Sequence, residues 1–191
     1  LYLPNIITIG RIFTVPVMIW LIVTANLLGA FVLFVVAGLS DALDGYLARR
    51  FNWQTELGAY LDPIADKALL TTVYAALTFH GYTPIWLGIA VVTRDVLIVG
   101  AVVLAWLLDR PIDVRPLLIG KINTVLQVVV AAMVLAEYGL ALGWMRFITP
   151  FLWVTGLMTA LSALFYMVGW LRHMASYDAI DRRLKKSGPG A

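Results

Sequence analysis

Apolar stretches long enough to cross a bilayer recur along the whole chain, and they settle the class of fold before any motif is weighed. A helix rises 1.5 Å per residue, so about 20 apolar residues span a hydrocarbon core of roughly 30 Å. Six such spans are predicted, at about 6–28, 30–49, 62–80, 84–108, 120–140 and 147–171. Composition agrees: 62% of residues are hydrophobic, only 13% are charged, and mean hydropathy is +0.90. Soluble domains carry roughly a quarter charged residues. The expected fold is therefore all-α, a polytopic membrane protein of six transmembrane helices with a short basic C-terminal surface helix. One membrane domain is expected over 1–175, followed by a basic cytoplasmic tail over 176–191. The absence of cysteine excludes disulfide and thiolate chemistry. The opening LYLPNIITIGR lacks the basic segment and small-residue cleavage site of a signal peptide, and the tail SGPGA reads as disordered. No nucleic-acid partner is expected.

Charge predicts the orientation. With a cytoplasmic N-terminus, twelve basic residues fall on or near the cytoplasmic side: Arg11, Arg49, Arg50, Lys67, Arg110, Arg115, Lys121, Arg172, Arg182, Arg183, Lys185 and Lys186. The opposite loops hold only Arg146, and Arg94 lies inside span four. Such asymmetry follows the positive-inside rule. The segment from Tyr177 to Lys186 is expected to lie on anionic headgroups.

Against this apolar background, DALDGYLARRFNWQTELGAYLDPIAD places Asp41, Asp44, Asp62 and Asp66 together. Asp41 and Asp44 are i, i+3 near the end of span two, and Asp62 and Asp66 are i, i+4 at the start of span three. Each pair shares a helix face, and a tight link between antiparallel spans is expected to bring the faces together. Two like charges 4 Å apart repel by about 4 kcal/mol at an effective dielectric near 20. The cluster must be protonated, paired with bases or bound to cations. It offers only oxygen ligands, so the natural cations are hard divalent ions such as Mg²⁺ or Mn²⁺. Gly45 follows Asp44 and Gly58 stands four residues before Asp62, and glycine within a helix costs roughly 1 kcal/mol against alanine, which points to close approach by a ligand or a helix. An acidic cluster that merely orients helices, paired with Arg49, Arg50 and Lys67, gives no reason for the glycines.

The full string is D-x-x-D-G-x-x-A-R, eight residues, then G-x-x-x-D-x-x-x-D. It resembles the signature of the CDP-alcohol phosphotransferase family at every defined position. That resemblance implies a homodimer of six-helix protomers, which transfers a phosphatidyl-type group from a CDP-linked donor to an alcohol and releases CMP. It implies that Asp41, Asp44 and Asp62 are ligands of two divalent metal ions. Asp66 resembles the general base and is a further candidate ligand. Gly45, Ala48, Arg49 and Gly58 resemble the cytidine-diphosphate site. PNIITIGR resembles the P-N-x-x-T-x-x-R opening of several phosphatidyltransferases, which would bring Asn5, Thr8 and Arg11 to the nucleotide or its phosphates. An interfacial start to span one with a snorkelling Arg11 explains the same residues.

Candidates for the acceptor site are Arg94, Arg115, Lys121 and Asn123. An ionised pair such as Arg94–Asp95 in mid-span points to function, although a buried pair that fixes helix packing has the same sequence. Arg115 and Lys121 suit an acceptor phosphate, and equally suit routine positive-inside anchoring. RDV in span four and KINTVLQ in span five resemble the cardiolipin synthases of the family. The related phosphatidylglycerophosphate synthases usually show R-E and G-K-x-K-T, whose second Lys is replaced here by Asn123. One cation fewer suits the single charge of phosphatidylglycerol better than the near-dianion of glycerol 3-phosphate. The expected partners are thus CDP-diacylglycerol, phosphatidylglycerol or glycerol 3-phosphate, and membrane lipids. The expected location is a bacterial plasma (inner) membrane, with the active site on the cytoplasmic side.

His80 and His173 stand outside any H-x-K motif and are expected at the interface rather than in catalysis. A divalent-cation transporter is the alternative of a different class. It would need polar residues continuing to the far side, and spans one, five and six offer very few. GLALG at 139–143 has the G-x-x-x-G spacing of helix contacts, but its place at a span's end equally suits a loop or cap. Trp20, Trp86, Trp144, Trp153 and Trp170 fall mostly at interface depth.

Overall fold

The computed structural model describes residues 3–51, 56–107 and 118–186, with side chains described except at 3–9, 11–12, 44–49, 51, 56–66, 102, 106 and 175–186. Six helices follow one another: α1 (Leu3–Val23), α2 (Leu27–Phe51), α3 (Glu56–Phe79), α4 (Ile85–Leu107), α5 (Leu118–Leu140) and α6 (Met145–Lys186). The all-helical, membrane-embedded class is as expected from the apolar runs. Among the described residues, Ile85–Ala105, Leu118–Leu140 and Met145–Met174 are long and apolar enough to cross a bilayer. The other helices carry shorter apolar stretches, Phe13–Val23, Leu27–Leu43 and Lys67–Phe79. Two of these give way to the aspartates.

Three boundaries differ from expectation, each for a local reason. The first helix ends at Val23, not near 28. Ala25 adopts φ 57°, and the N–H of Asn26 donates to the Leu21 carbonyl at 2.8 Å, which closes the helix in the left-handed manner usual for glycine. The Asn26 side chain then accepts the Gly29 N–H at 3.0 Å and starts α2. With alanine in the glycine position, the apolar run hides the turn. The segment 50–61, read as a connection, is largely helical: α2 runs through Phe51 and α3 begins at Glu56. Finally, the basic segment 177–186 is no separate surface helix but the end of α6. That helix has 42 residues. At 1.5 Å per residue its length is about twice a bilayer's hydrocarbon thickness, so one end must lie beyond it.

Packing closes the helices into a ring in the order α1, α3, α4, α6, α5, α2 and back to α1, with α3 and α5 also touching across the middle. The ring is thereby divided into two four-helix sub-rings that share α3 and α5. One contains α1 and α2, the other α4 and α6. Met18 and Ile22 of α1, Phe34 of α2, Tyr74 and Leu77 of α3 and Leu135 of α5 are buried at the centre. Lipid tails give little hydrophobic drive between helices, so small residues matter at the contacts. A Cβ on Gly139 would come within 2.9 Å of the Leu27 backbone, so this glycine lets α5 approach α2. Gly143, with φ 72°, belongs to the turn before α6. The two glycines of GLALG thus do one job each. Gly156 leaves room on α6 for the Trp86 ring, which stacks on Trp153 at 4.6 Å between centroids. The buried Glu137 carboxylate accepts the Trp144 N–H at 2.8 Å, placing a negative charge at the N-terminus of α6.

Candidate active site

Helical register places the aspartates. On α2, Leu27, Ala30 and Phe34 are buried and Asp41 is half-buried, in a 3–4 spacing that Asp44 and Ala48 continue. On α3, Leu70, Val73 and Leu77 are buried, and the same register leads back to Asp66 and Asp62. Both pairs therefore occupy register positions on the stripes that form the core. Among the described residues α2 and α3 do not pack on each other, while α1 and α5 each touch both. The two stripes thus belong to one four-helix sub-ring, and the expected meeting of the faces at the α2–α3 link falls on residues outside those fully described. The donor set is carboxylate oxygen throughout, which suits a hard divalent ion. Among the described residues no group of three ligating side chains is assembled. The side chains of Asp44, Asp62 and Asp66 lie outside those described, as do those of Asn5, Thr8, Arg11, Ala48 and Arg49 and the surroundings of Gly45 and Gly58. Arg115 lies outside the described residues.

A second stripe on α3, Lys67, Thr71, Tyr74 and Thr78, runs beside the first and is polar. It meets the other sub-ring. Lys67 Nζ donates to Asp95 Oδ1 at 2.5 Å, and Thr71 Oγ1 donates to Asp95 Oδ2 at 3.0 Å. Arg94 Nη1 donates to the same Asp95 Oδ1 at 2.6 Å. Arg94 is 3% exposed, and its Nε and Nη2 both donate to Ser162 Oγ on α6, at 3.3 and 3.1 Å. Its guanidinium also sits 5.7 Å from the centroid of the Tyr166 ring. Gly120 at the start of α5 makes room here, since a Cβ would lie 2.9 Å from Tyr166 Oη and 3.5 Å from Arg94 Nη2. Lys67 follows Asp66 in the chain, so this ionic layer lies at the level of the aspartate stripe.

One turn deeper, the seam between α5 and α6 remains polar. Gln127 Nε2 donates to Thr159 Oγ1 at 3.2 Å, and Thr159 Oγ1 donates to Asn123 Oδ1 at 2.8 Å. This direction leaves the Asn123 N–H₂ as the end of the chain, fully buried and with no acceptor among the described residues. Tyr74 Oη donates to the Gln127 carbonyl at 2.9 Å and ties the seam to α3.

The Arg94–Asp95 pair expected in mid-span is present and buried. Arg94 and Asn123 line the same α4–α5–α6 region, whereas Lys121 is exposed. The sequence offers Lys67 only as a cytoplasmic-side base and a pairing candidate for the aspartates, and gives Thr71, Gly120, Thr159, Ser162 and Tyr166 no role. Their signal was available: Thr155, Thr159, Ser162 and Tyr166 recur at 4, 3 and 4 residues in an apolar helix, as Gly120, Asn123 and Gln127 do at 3 and 4. His80 lies in an aromatic cluster at the end opposite the aspartates, 5.4 Å from the Phe79 ring and 6.4 Å from that of Tyr82.

Residues 1–175 match the model of the CDP-alcohol phosphatidyltransferase family, so the chain belongs to that family of transferases. It is 36% identical over 185 residues to the rice chloroplastic CDP-diacylglycerol–glycerol-3-phosphate 3-phosphatidyltransferase 1, covering 87% of this chain and 56% of that protein. It is 33% identical over 150 residues to the human cardiolipin synthase (CMP-forming), covering 70% of this chain and 50% of that protein. The chain thus spans about half the length of these relatives. The CDP-diacylglycerol–glycerol-3-phosphate 3-phosphatidyltransferase of Bacillus subtilis is 30% identical over 196 residues, with 93% of this chain and 96% of that protein covered.

Proposed function

We propose that the chain transfers a phosphatidyl group from CDP-diacylglycerol to phosphatidylglycerol, giving cardiolipin and CMP. The carrying observation for the acceptor is Asn123. It is fully buried beside the ionic layer and ends a hydrogen-bond chain in a neutral donor that has no acceptor among the described residues. Such a donor suits an uncharged oxygen or a singly charged phosphodiester better than a dianion. In this reading Asp41, Asp44, Asp62 and Asp66 hold two divalent ions, Mg²⁺ or Mn²⁺. When bound, these ions would neutralise the pyrophosphate and stabilise departing CMP. Gly45, Ala48, Arg49 and Gly58, with Asn5, Thr8 and Arg11, receive the cytidine diphosphate. Arg94, Arg115, Lys121 and Asn123 receive the acceptor.

The chain's own contribution to chemistry is then proton removal and orientation. Asp66 accepts the proton of the acceptor's terminal hydroxyl. That oxygen forms a bond to the diacylglycerol-linked phosphorus while the bond from phosphorus to the CMP oxygen breaks. The enzyme works as a homodimer in a bacterial plasma membrane, with the site and the basic segment 176–191 facing the cytoplasm.

A second reading, glycerol 3-phosphate as acceptor, is favoured by the Bacillus subtilis relative, which is matched along nearly its whole length. Purified protein given CDP-diacylglycerol and Mg²⁺ separates the two. Cardiolipin is expected with phosphatidylglycerol, with no phosphatidylglycerophosphate from glycerol 3-phosphate. The reverse pattern would replace the acceptor and keep the chemistry.

A further inference from the structure

The ionic layer holds two cations on one carboxylate. Asp95 Oδ1 accepts from both Lys67 and Arg94, and Oδ2 accepts from Thr71. All three hydrogen bonds that it accepts among the described residues come from within the layer. The donors are less fully used: Lys67 spends one N–H and Arg94 three, the latter on Asp95 and Ser162. An ammonium has three N–H donors and a guanidinium five. One positive charge and several N–H donors are thus left over among the described residues, shared between a partly exposed Lys67 and a buried Arg94, one residue along α3 from Asp66.

We infer that Asp95 is a positioning residue, which holds Lys67 and Arg94 together so that their surplus charge receives a phosphate group of the acceptor. The inference rests on the acceptor reading given above and adds Lys67, Thr71 and Asp95 to it. Arg94 is also held by Ser162, and its ring contact with Tyr166 fixes its plane. Lys67 has no such second anchor among the described residues, and its side chain is 39% exposed. Asp95 is what keeps that ammonium beside the guanidinium. The two mount the phosphate site partly on α3, the helix that carries Asp66. A phosphate seated there is fixed relative to the proposed base.

The sign of one effect discriminates positioning from bulk charge. Asp95→Asn removes a negative charge, so charge alone would leave phosphate affinity unchanged or raise it. Positioning demands the opposite, because Lys67 is released and like charges push it away from Arg94. The probe is inorganic phosphate, titrated calorimetrically onto the purified full chain, with turnover of phosphatidylglycerol and glycerol 3-phosphate measured in parallel. Asp95→Asn is expected to weaken phosphate binding at least tenfold. It should raise the KM of the acceptor used to a similar degree and leave the KM of CDP-diacylglycerol within twofold. Asp95→Glu should recover most of the loss. Lys67→Met keeps the Arg94–Asp95 pair and the fold, and should weaken phosphate binding likewise.

Unchanged or tighter phosphate binding in both Asp95→Asn and Lys67→Met would overturn the inference, as would a parent chain that binds no phosphate. If the parent uses neither acceptor yet binds phosphate in an Asp95-dependent way, the positioning role stands and the acceptor reading fails. Normal turnover of phosphatidylglycerol by Asp95→Asn would do the reverse.

Discussion

Asp66→Asn is expected to lower transfer by about 10²–10⁴-fold, the range over which positioned acid–base groups contribute. The substitution keeps shape and volume, removes the ability to take a proton, and leaves the three other proposed metal ligands in place. It also removes one negative charge a helical turn from Asp62, which relieves repulsion rather than adding to it. The helix should survive, because α3 is held elsewhere: Lys67 and Thr71 on Asp95, Tyr74 on the Gln127 carbonyl, and Val73 and Leu77 in the core. CDP-diacylglycerol binding and thermal unfolding of the variant in detergent should therefore match the parent, while CMP release collapses. A folded Asp66→Asn protein with parental turnover would remove Asp66 from the role of base.

The second large effect concerns stability, and it is asymmetric. Asp95→Ala is expected to destabilise the chain by about 3–5 kcal/mol, the usual cost of leaving a buried charge without its partner. The orphan is Arg94, at 3% exposure, with only the Ser162 hydroxyl left to receive its hydrogen bonds. Arg94→Met breaks the same pair from the other side and should cost distinctly less. There Asp95 keeps Lys67 and Thr71, and methionine fills much of the vacated space beside Tyr166. Thermal unfolding of both variants in one detergent tests the ordering. Equal losses would mean that Lys67 does not share the carboxylate in solution.

Much of this architecture is legible in the sequence because membranes simplify the code. The apolar spans report the helices, and the D-x-x-D-G-x-x-A-R string stands out because carboxylates are costly in such surroundings. Register adds more: the aspartates continue stripes that begin at Leu27 and Leu77. The parts that were not legible have physical causes. The end of α1 rests on a left-handed Ala25, a conformation that glycine usually marks. The continuous α6 was obscured because a charged segment after an apolar span fits either a surface helix or an extension. Lys67 resembled ordinary cytoplasmic anchoring, since a single chain does not reveal which helix faces which. The ring order, with α3 shared between two sub-rings, is what turns Lys67 and Asp95 into partners 28 residues apart. The acceptor preference rests on Asn123 and the chemistry around it, a smaller body of observation than the aspartate string provides.

The central claim is a metal-assisted phosphatidyl transfer centred on the four aspartates. Its most direct test follows headgroup-labelled CDP-diacylglycerol with purified chain and phosphatidylglycerol, with Mg²⁺ and after chelation, and identifies the lipid product. The account requires labelled CMP and cardiolipin in equal amounts with Mg²⁺, and neither after chelation. Cardiolipin formation that persists undiminished after chelation, or the absence of any product with either acceptor in the presence of metal, would contradict it.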